Sequence, residues 1–379
     1  MTIVAGDRPN FGKIFSFFSG AGFLDLGFET SGFDIVYVNE IFSPFLAAYR
    51  YSRQLLNLPL PEYGYYCGEE HDISKLLLGT AANLPDFIQD CRRYHHPIGF
   101  IGGPPCPDFS VGGKNRGQFG DNGKLSAAYV ELICHYQPDF FLFENVKGLW
   151  KTHKHRLFFE SLKRKLKLAG YLLTTKLINC IEYGVPQNRE RIIIIGFSQK
   201  FCTSKDSRLD YRFPWHKYVL YNQEKIFQLP WIEKTLFQEN SIFPCPENII
   251  PELTVEYWFR KNHVTSHPNS HHYFQPRAGI TKLAAIDEGD DSGKSYKRLH
   301  RWRFSPTACY GNNEVHLHPY KIRRISVAEA LAIQSLPQKF ALPENMSLTN
   351  MFKTIGNGVP YFTAKAIAQN IRDFLDEKL

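Results

Sequence analysis

Runs of consecutive apolar residues alternate with longer amphipathic stretches over about the first 200 residues of the chain. Short apolar, β-branched or aromatic runs are typical of buried strands, and longer stretches with helical spacing are typical of helices. The pattern predicts strands over 13–18, 33–39, 98–101, 139–143 and 191–197, and helices over 44–56, 126–136 and 155–168. Strands that alternate with helices in this way indicate an α/β fold with a doubly wound, mostly parallel sheet.

The hydrophobic periodicity changes after about residue 205. Residues 206–319 are richer in Pro, His, Asn and aromatic residues and lack a clear period. We therefore predict a second, smaller and more irregular domain over 206–319. Helical spacing returns over 326–335 and again over 362–375.

Composition limits the class of protein. Of the 379 residues, 43% are hydrophobic and 22% are charged, as in ordinary soluble globular proteins. We find no signal peptide and no apolar run near the roughly 20 residues that cross a bilayer, and expect a cytoplasmic protein. The eight cysteines include no Cys-x-x-Cys pair, which argues against disulfides and against a zinc site. The net charge of +8 is compatible with a polyanionic partner.

A local cluster of histidines, His263, His267, His271 and His272, is the one group that suggests metal binding. Pro268 interrupts the helical spacing that would bring the first two together, and no acidic residue is near them. We therefore expect no metal.

A glycine-rich segment follows the first predicted strand. Gly20 and Gly22 allow a tight turn from strand to helix and a close approach of a ligand to the backbone. Glu40 ends the second predicted strand, 18 residues after Gly22, where it can accept hydrogen bonds from ribose hydroxyls. The segment predicts a nucleoside-cofactor site, and by itself it also suits a nicotinamide cofactor.

Two further features suit a cofactor that carries a sulfonium and an adenine. Phe18 lies at the mouth of the turn, where an aromatic ring attracts a cation. Asp72 offers a carboxylate to an adenine amino group, and Ile73 offers an apolar wall to the ring. The position of Asp72 equally suits a helix N-cap.

Three other segments carry chemistry. Cys106 follows two prolines at the tip of a predicted buried strand, which is typical of a stiffly held nucleophile, although most isolated cysteines are simply buried. Glu144 follows four apolar residues, and a buried carboxyl of raised pKa can donate a proton to a ring nitrogen. Arg189 and Arg191 lead into the last predicted strand and can hold a base carbonyl or a phosphate.

Taken together, these segments resemble the cytosine-C5 DNA methyltransferase family of bacterial restriction–modification systems. Eight motifs occur in the order of that family: Phe18-Ser19-Gly20-Ala21-Gly22, Glu40, Asp72, Gly103-Pro104-Pro105-Cys106, Glu144-Asn145-Val146, Gln187-x-Arg189-x-Arg191, Arg323-Arg324-Ile325-Ser326 with Glu329, and Gly356-Asn357-Gly358-Val359-Pro360. They cover roughly residues 13–198 and 320–379. One departure is Pro107, at a position where the family commonly has a glutamine.

The resemblance implies a Rossmann-like catalytic domain formed by residues 1–205 and 320–379, with the C-terminal helix packed back, and a target-recognition domain over 206–319. It also implies S-adenosylmethionine as the methyl donor, with S-adenosylhomocysteine as product and no metal. The implied cofactor-binding residues are Phe18, Gly20, Ala21, Gly22, Leu24, Glu40, Ile41, Asp72, Ile73, Pro104, Asn357 and Val359.

The implied reaction begins with attack of Cys106 on C6 of a cytosine that has been flipped out of the duplex. Glu144 is expected to supply a proton or hydrogen bond at N3 and Arg191 to hold O2, with Arg189 supporting the site. DNA contacts are expected from the glycine-rich stretch 107–124 and from a basic and aromatic stretch of the middle domain. The candidate residues are Ser110, Lys114, Arg116, Lys297, Arg298, Arg301 and Arg303.

The expected partner is double-stranded DNA, which the protein would bind as a monomer. No membrane association is expected, and a cognate restriction endonuclease would be a separate chain. A tRNA cytosine-C5 methyltransferase is the first competing hypothesis, because one branch of the family uses the same motifs. The middle segment of about 115 residues favours DNA. Two further hypotheses are a non-catalytic DNA-binding relative and a nicotinamide oxidoreductase.

Overall fold

A computed structural model of the chain describes residues 11–78, 83–105, 121–200, 209–276, 280–293, 296–308, 310 and 315–377. Within these ranges, seven strands form a sheet in the order β3-β2-β1-β4-β5-β7-β6. The strands are β1 (Lys13–Phe17), β2 (Asp34–Asn39), β3 (Tyr65–Tyr66), β4 (Ile98–Gly102), β5 (Phe140–Val146), β6 (Tyr171–Asn179) and β7 (Glu190–Ser198).

The sheet is mostly parallel, as predicted. Strands β1 to β5 pair with their neighbours in parallel, whereas β7 lies antiparallel between β5 and β6. The sequence pattern missed β6. Strand β6 lies at the edge of the sheet and carries the polar run Thr174-Thr175-Lys176, so it has no continuous apolar signal.

Helices cover the sheet and connect its strands. The predicted helices are confirmed with their ends shifted by one or two residues, except that the helix predicted over 126–136 begins five residues earlier, at Asp121. The helices are α1 (Phe23–Glu29), α2 (Ser43–Leu55), α3 (Ile73–Leu77), α4 (Leu84–Arg93), α5 (Asp121–Tyr136), α6 (Lys147–Lys151), α7 (His153–Leu168), α8 (Leu209–Arg212), α9 (Gln223–Gln228), α10 (Val255–Lys261), α11 (Ile280–Ala284), α12 (Val327–Ile333), α13 (Leu348–Asn357) and α14 (Tyr361–Asp376). Each helix in the described ranges is too short or too polar to span a bilayer.

The core lies on both faces of the sheet. Alternate strand residues point to opposite faces. In β1, Phe15 packs in a cluster with Phe100 and Ile133, whereas Ile14 packs in a different cluster with Ile101 and Leu142. Both faces of the sheet are therefore covered by apolar clusters.

The C-terminal helix α14 returns to the start of the fold and packs against α1. Gly27 of α1 lies so close to α14 that a Cβ there would be 2.6 Å from the Cβ of Ala364. This packing brings the segment just before α14 beside the glycine turn that precedes α1.

The middle segment is irregular where it is described, with the short helices α8 to α11 joined by loops. Its first part packs on the sheet, because Leu209, Phe213 and Trp215 share a cluster with Ile195 and Phe374. Helix α10 packs against α12. The division of the chain at residues 206 and 319 stays a prediction.

Candidate active site

The carboxyl ends of four parallel strands meet at one edge of the sheet. Phe17 pairs in register with Asn39 on one side and with Gly102 on the other, and Gly102 pairs with Phe143. Residues that follow these strand ends therefore lie together in the crevice where open α/β sheets bind ligands. The glycine turn, Glu40, Gly103 and Glu144 all come to this edge.

The glycine turn has the unusual backbone that its sequence predicts. Gly20 and Gly22 have φ angles of 57° and 78°, and Phe18 also lies in the left-handed region with φ of 54°. Residues other than glycine seldom adopt this backbone conformation. Where one does, as at Phe18, the backbone is strained, and strained residues are concentrated at functional sites. The Phe18 ring is held edge-on to Tyr129 with the ring centroids 5.9 Å apart.

Glu40 connects the end of β2 to the glycine turn. Its Oε2 accepts a hydrogen bond from the Gly20 amide at 2.8 Å, and its Oε1 accepts one from the Phe42 amide at 2.9 Å. Burial raises the pKa of Glu40, against the effect of these two amides. Each carboxylate oxygen has two lone pairs, so the group can also accept hydrogen bonds from ligand hydroxyls. Ile41, the next residue, is exposed.

Asp72 is the N-cap of α3, the role that its position equally suited. Its Oδ1 accepts hydrogen bonds from the amide and hydroxyl of Ser74. Ile73 is buried in the core beside Leu76. Asn39 ties this segment to β2, since its side-chain amide donates to the His71 carbonyl at 2.9 Å.

Glu144 and Arg191 form a buried ion pair. Arg191 Nε lies 2.9 Å from Oε1 of Glu144. The other carboxylate oxygen, Oε2, lies against Gly103, where a Cβ would be only 2.6 Å away. Burial raises the pKa of Glu144, and the charges of Arg191 and Arg189 oppose this effect without cancelling it. A carboxyl of this kind can hold and donate a proton.

Arg189 has a different environment. Its side chain is buried and donates to the carbonyl oxygens of Ala308 at 3.3 Å, Gly356 at 2.8 Å and Gly358 at 3.1 Å. It thereby fastens the segment before α14 to the start of β7. The neighbouring Gln187 also contacts Ala308, because its Oε1 accepts a hydrogen bond from the Ala308 amide at 3.0 Å. Arg189 thus supports the site from within the protein.

The segment 356–360 completes this edge of the sheet. Gly358 lies against the ring of Phe23, and a Cβ there would be 2.2 Å from Phe23 Cδ2. Val359 is buried and Asn357 is exposed. Thr354, which the sequence pattern did not indicate, is the nearest neighbour of the Gly20 Cβ position, with its Oγ1 3.8 Å away.

Ala21 and Leu24 belong to the turn and the first residues of α1. Ala21 is buried, and Pro104 is buried between β4 and the site. Cys106, Ser110, Lys114 and Arg116 lie outside the described residues. Their predicted roles stay predictions.

Two of the predicted DNA contacts are wrong. Arg298 is 1% exposed and donates to the carbonyl oxygens of Leu283, Ile286, His318 and Lys321. Arg301 is 3% exposed and makes a bidentate pair with Glu288. Internal acceptors hold both guanidinium groups, so neither is presented to DNA phosphates. Lys297 and Arg303 are only partly buried and stay candidates for DNA contacts.

The sequence pattern also missed Arg53, a buried arginine of α2 that contacts the glycine turn. Its spacing was a usable signal. Tyr49 and Arg53 are four residues apart on one helix face, opposite Asp25 and Glu29, which are also four apart. Charged residues on faces that should be buried indicate a paired network.

Comparisons with known proteins show the family of this chain. A model of the C-5 cytosine-specific DNA methylase family matches residues 12–373. The Type II methyltransferase M.NmeDI of Neisseria meningitidis serogroup C is 56% identical over 363 residues, which are 96% of this chain and 84% of that protein. The Type II methyltransferase M.FnuDI of Fusobacterium nucleatum is 28% identical over 390 residues, covering 97% of this chain and 96% of that protein.

A solved structure shows the same fold. The Dnmt2 methyltransferase of S. pombe superimposes with a TM-score of 0.58 at 14% sequence identity, covering 96% of this chain and 98% of that one. At this identity the likeness concerns the fold alone.

Proposed function

Because this chain belongs to the C-5 cytosine-specific DNA methylase family and is a DNA cytosine-C5 methyltransferase, we propose that it is the modification enzyme of a type II restriction–modification system. It methylates one cytosine within a short sequence of duplex DNA. The observation that carries the catalytic part of the proposal is the buried pair of Glu144 and Arg191, with the free edge of the carboxylate against Gly103. Gly103 stands three residues before Cys106.

The glycine turn and Glu40 fit S-adenosylmethionine. Among the described residues, a Cβ on Gly20 would meet only Thr354 Oγ1 within 4 Å, which leaves room for a ligand over this backbone. Glu40 would accept hydrogen bonds from the ribose hydroxyls, and Phe18 would lie near the sulfonium. The other residues proposed to contact the cofactor are Ala21, Gly22, Leu24, Ile41, Asp72, Ile73, Pro104, Asn357 and Val359. When bound, S-adenosylmethionine supplies an electrophilic methyl group.

The chain's own residues prepare the cytosine to accept that group. The thiolate of Cys106 forms a bond to C6, and the ring electrons move to make C5 nucleophilic. Glu144 donates a proton or hydrogen bond at N3, which withdraws electrons and favours the attack. After C5 is methylated, its proton passes to solvent water, the C5–C6 double bond forms again and Cys106 leaves as the thiolate, while any proton held at N3 returns to Glu144.

Arg191 has two roles in this proposal. Its Nε fixes the orientation of the Glu144 carboxyl. Its Nη1 donates to the Glu190 carbonyl at 2.8 Å, and its Nη2 would hold O2 of the base. Arg189 is a positioning residue. It carries no contact to the base, and it holds Gly356 and Gly358 at the edge of the cofactor site.

The target base must leave the helical stack, since C5 and C6 are inaccessible to these groups in a duplex. We propose that residues 107–124 close over the flipped base, with Ser110, Lys114 and Arg116 at the phosphates. Residues of the middle segment, including Lys297 and Arg303, would read the flanking duplex. The packing of Leu209 and Trp215 on the sheet favours a boundary for this reading domain somewhat after residue 215.

The test compares nucleic acids directly. The purified protein is incubated with radiolabelled S-adenosylmethionine and either plasmid DNA or bulk tRNA. We expect label in DNA alone, and bisulfite sequencing of plasmid from expressing cells should then show one methylated sequence context. Label in tRNA alone would support a tRNA methyltransferase and contradict the proposal. Random methylation of cytosines would contradict the restriction–modification role.

A further inference from the structure

A buried arginine lies against the backbone of the glycine turn. Arg53 of α2 donates from Nη1 to the Ala21 carbonyl at 3.2 Å and from Nη2 to the Gly22 carbonyl at 2.8 Å. Its guanidinium also occupies the space beside the Gly22 Cα, since a Cβ on Gly22 would be 2.2 Å from Arg53 Nη1. The turn is thus in contact with Arg53 at two successive residues.

A network of side chains fixes the guanidinium. Its Nη2 lies 2.9 Å from Oε2 of Glu29, and its plane lies over the Tyr49 ring, 3.8 Å from the centroid. The Tyr49 hydroxyl donates to Asp25 Oδ2 and the Ser16 hydroxyl donates to Asp25 Oδ1, both at 2.9 Å. These residues connect β1, α1 and α2, the elements that surround the glycine turn.

The stability of the fold alone does not account for this arrangement. Arg53 is 1% exposed and Glu29 is 6% exposed, and moving such a pair out of water costs free energy that its attraction often only offsets. Well-packed apolar side chains at the same positions are frequently as stable. What apolar side chains cannot do is to donate hydrogen bonds to the carbonyls of Ala21 and Gly22.

We propose that Arg53 is a positioning residue for the methyl donor, which holds residues 20–22 in their binding conformation before the donor arrives. This inference rests on the proposed function. The Gly20 amide is tied to Glu40, so a turn fixed by Arg53 also fixes the ribose-binding carboxylate. A site that is ordered in advance loses less conformational freedom on binding. Arg53 touches no reacting atom, so its effect is on affinity.

The test measures cofactor affinity separately from chemistry. In Arg53→Met, we expect the Kd for S-adenosylhomocysteine, by calorimetry, and the KM for S-adenosylmethionine to rise about 10- to 100-fold, the size expected for loss of charged hydrogen bonds. We expect kcat at saturating cofactor to stay within about 2-fold, because the reacting groups are untouched.

Three further variants separate positioning from packing. Glu29→Gln removes the ion pair and leaves the bonds from Arg53 to the turn, so it should lower the Tm and keep the affinity. Arg50→Met removes a charge from the same helix and should change neither. The double variant Arg53→Met/Glu29→Gln also removes the carboxylate that pairs with Arg53, and Asp25 keeps the hydroxyl donors Ser16 and Tyr49, so the variant should regain part of the stability and still bind weakly. If Arg53→Met does not fold, the affinity for S-adenosylhomocysteine is measured in the double variant instead.

Two results would overturn the inference. One is a folded double variant that binds S-adenosylhomocysteine as tightly as the wild type. The other is a loss of affinity in Glu29→Gln equal to that in the arginine variants, because affinity would then follow packing. A wild-type protein that does not bind S-adenosylhomocysteine would overturn the proposed function itself, so the two failures are distinguishable.

Discussion

Arg191 and Glu144 meet diagonally across the antiparallel pair of β7 and β5. Arg191 is paired in register with Val146, two residues beyond Glu144, so both side chains lie on one face. The contact from Arg191 Nε to Glu144 Oε1 is 2.9 Å. One oxygen of the carboxylate is thereby engaged, and the other lies against Gly103. The antiparallel insertion of β7 is what delivers an arginine to this carboxylate.

The first prediction concerns the role of Glu144 as a proton donor. We expect Glu144→Gln to lower kcat for DNA methylation by about 10²- to 10⁴-fold, the usual contribution of a positioned acid. The Kd for S-adenosylhomocysteine should stay unchanged, because Glu40 and the glycine turn are unaffected. Steady-state methyl transfer and calorimetry measure the two quantities. A variant with more than a tenth of the wild-type kcat would exclude this role.

The pH dependence of kcat/KM should be bell-shaped. The reacting thiol must be deprotonated, so the rate rises as pH rises through the thiol pKa. Glu144 must be protonated, and burial raises its pKa, so the rate falls as pH rises through that value. In Glu144→Gln the decrease of kcat/KM at high pH should disappear, and kcat/KM should only rise with pH. An unchanged bell in this variant would assign the acid to another residue.

Cys106 lies outside the described residues, and its role depends on chemistry that can be tested directly. We expect Cys106→Ala to abolish methyl transfer and to leave S-adenosylmethionine binding largely intact, because the proposed cofactor residues other than Pro104 are on other segments. The wild type should form a covalent adduct with duplex DNA, stable to denaturing gel electrophoresis when the reaction is stopped in progress. Full turnover in the alanine variant would refute the mechanism.

Gly358 should be intolerant of any side chain. A Cβ there would be 2.2 Å from Phe23 Cδ2, and overpacking of this kind costs about 1–3 kcal/mol. We expect Gly358→Ala to lower the free energy of unfolding by this amount in urea, and Phe23→Leu to restore part of it. Gly293→Ala is the matched control, since within the part of the chain that the structure describes its Cβ would meet only the Tyr296 carbonyl oxygen, at 3.8 Å. Equal losses in the two alanine variants would argue against a steric cause.

The basic residues of the middle segment should divide into two classes. Lys297→Ala and Arg303→Ala should weaken DNA binding at all sequences, and each should reduce the slope of log K against log salt by about 1. Arg301→Ala should instead destabilise the protein by about 3–5 kcal/mol, because it leaves Glu288 buried without its partner. Salt titrations of DNA binding and urea unfolding measure these effects. A Lys297 variant with an unchanged salt slope would remove that residue from the interface.

Much of the fold was predictable because its signals are local. Apolar runs predicted the five long inner strands, and the alternation with helices predicted the doubly wound sheet. The edge strand β6 was missed because its polar residues Thr174 to Lys176 interrupt the pattern. In the basic stretch 297–303, the predicted DNA contacts of Arg298 and Arg301 were wrong. A sequence shows that a residue is charged, but it does not show the acceptors that surround the charge in the folded protein.

The sequence by itself determined the kinds of groups proposed for the site and their order along the chain: the glycines of the turn, Glu40, Cys106, Glu144 and the two arginines. Their residue types and spacing express backbone geometry and chemistry, which are properties of short segments. Only the tertiary structure decided which arginine does what. Arg189 holds Gly356 and Gly358, Arg191 pairs with Glu144, and Arg53 holds the glycine turn. These partners are distant in the chain, and only packing of the strands and helices brings them within reach.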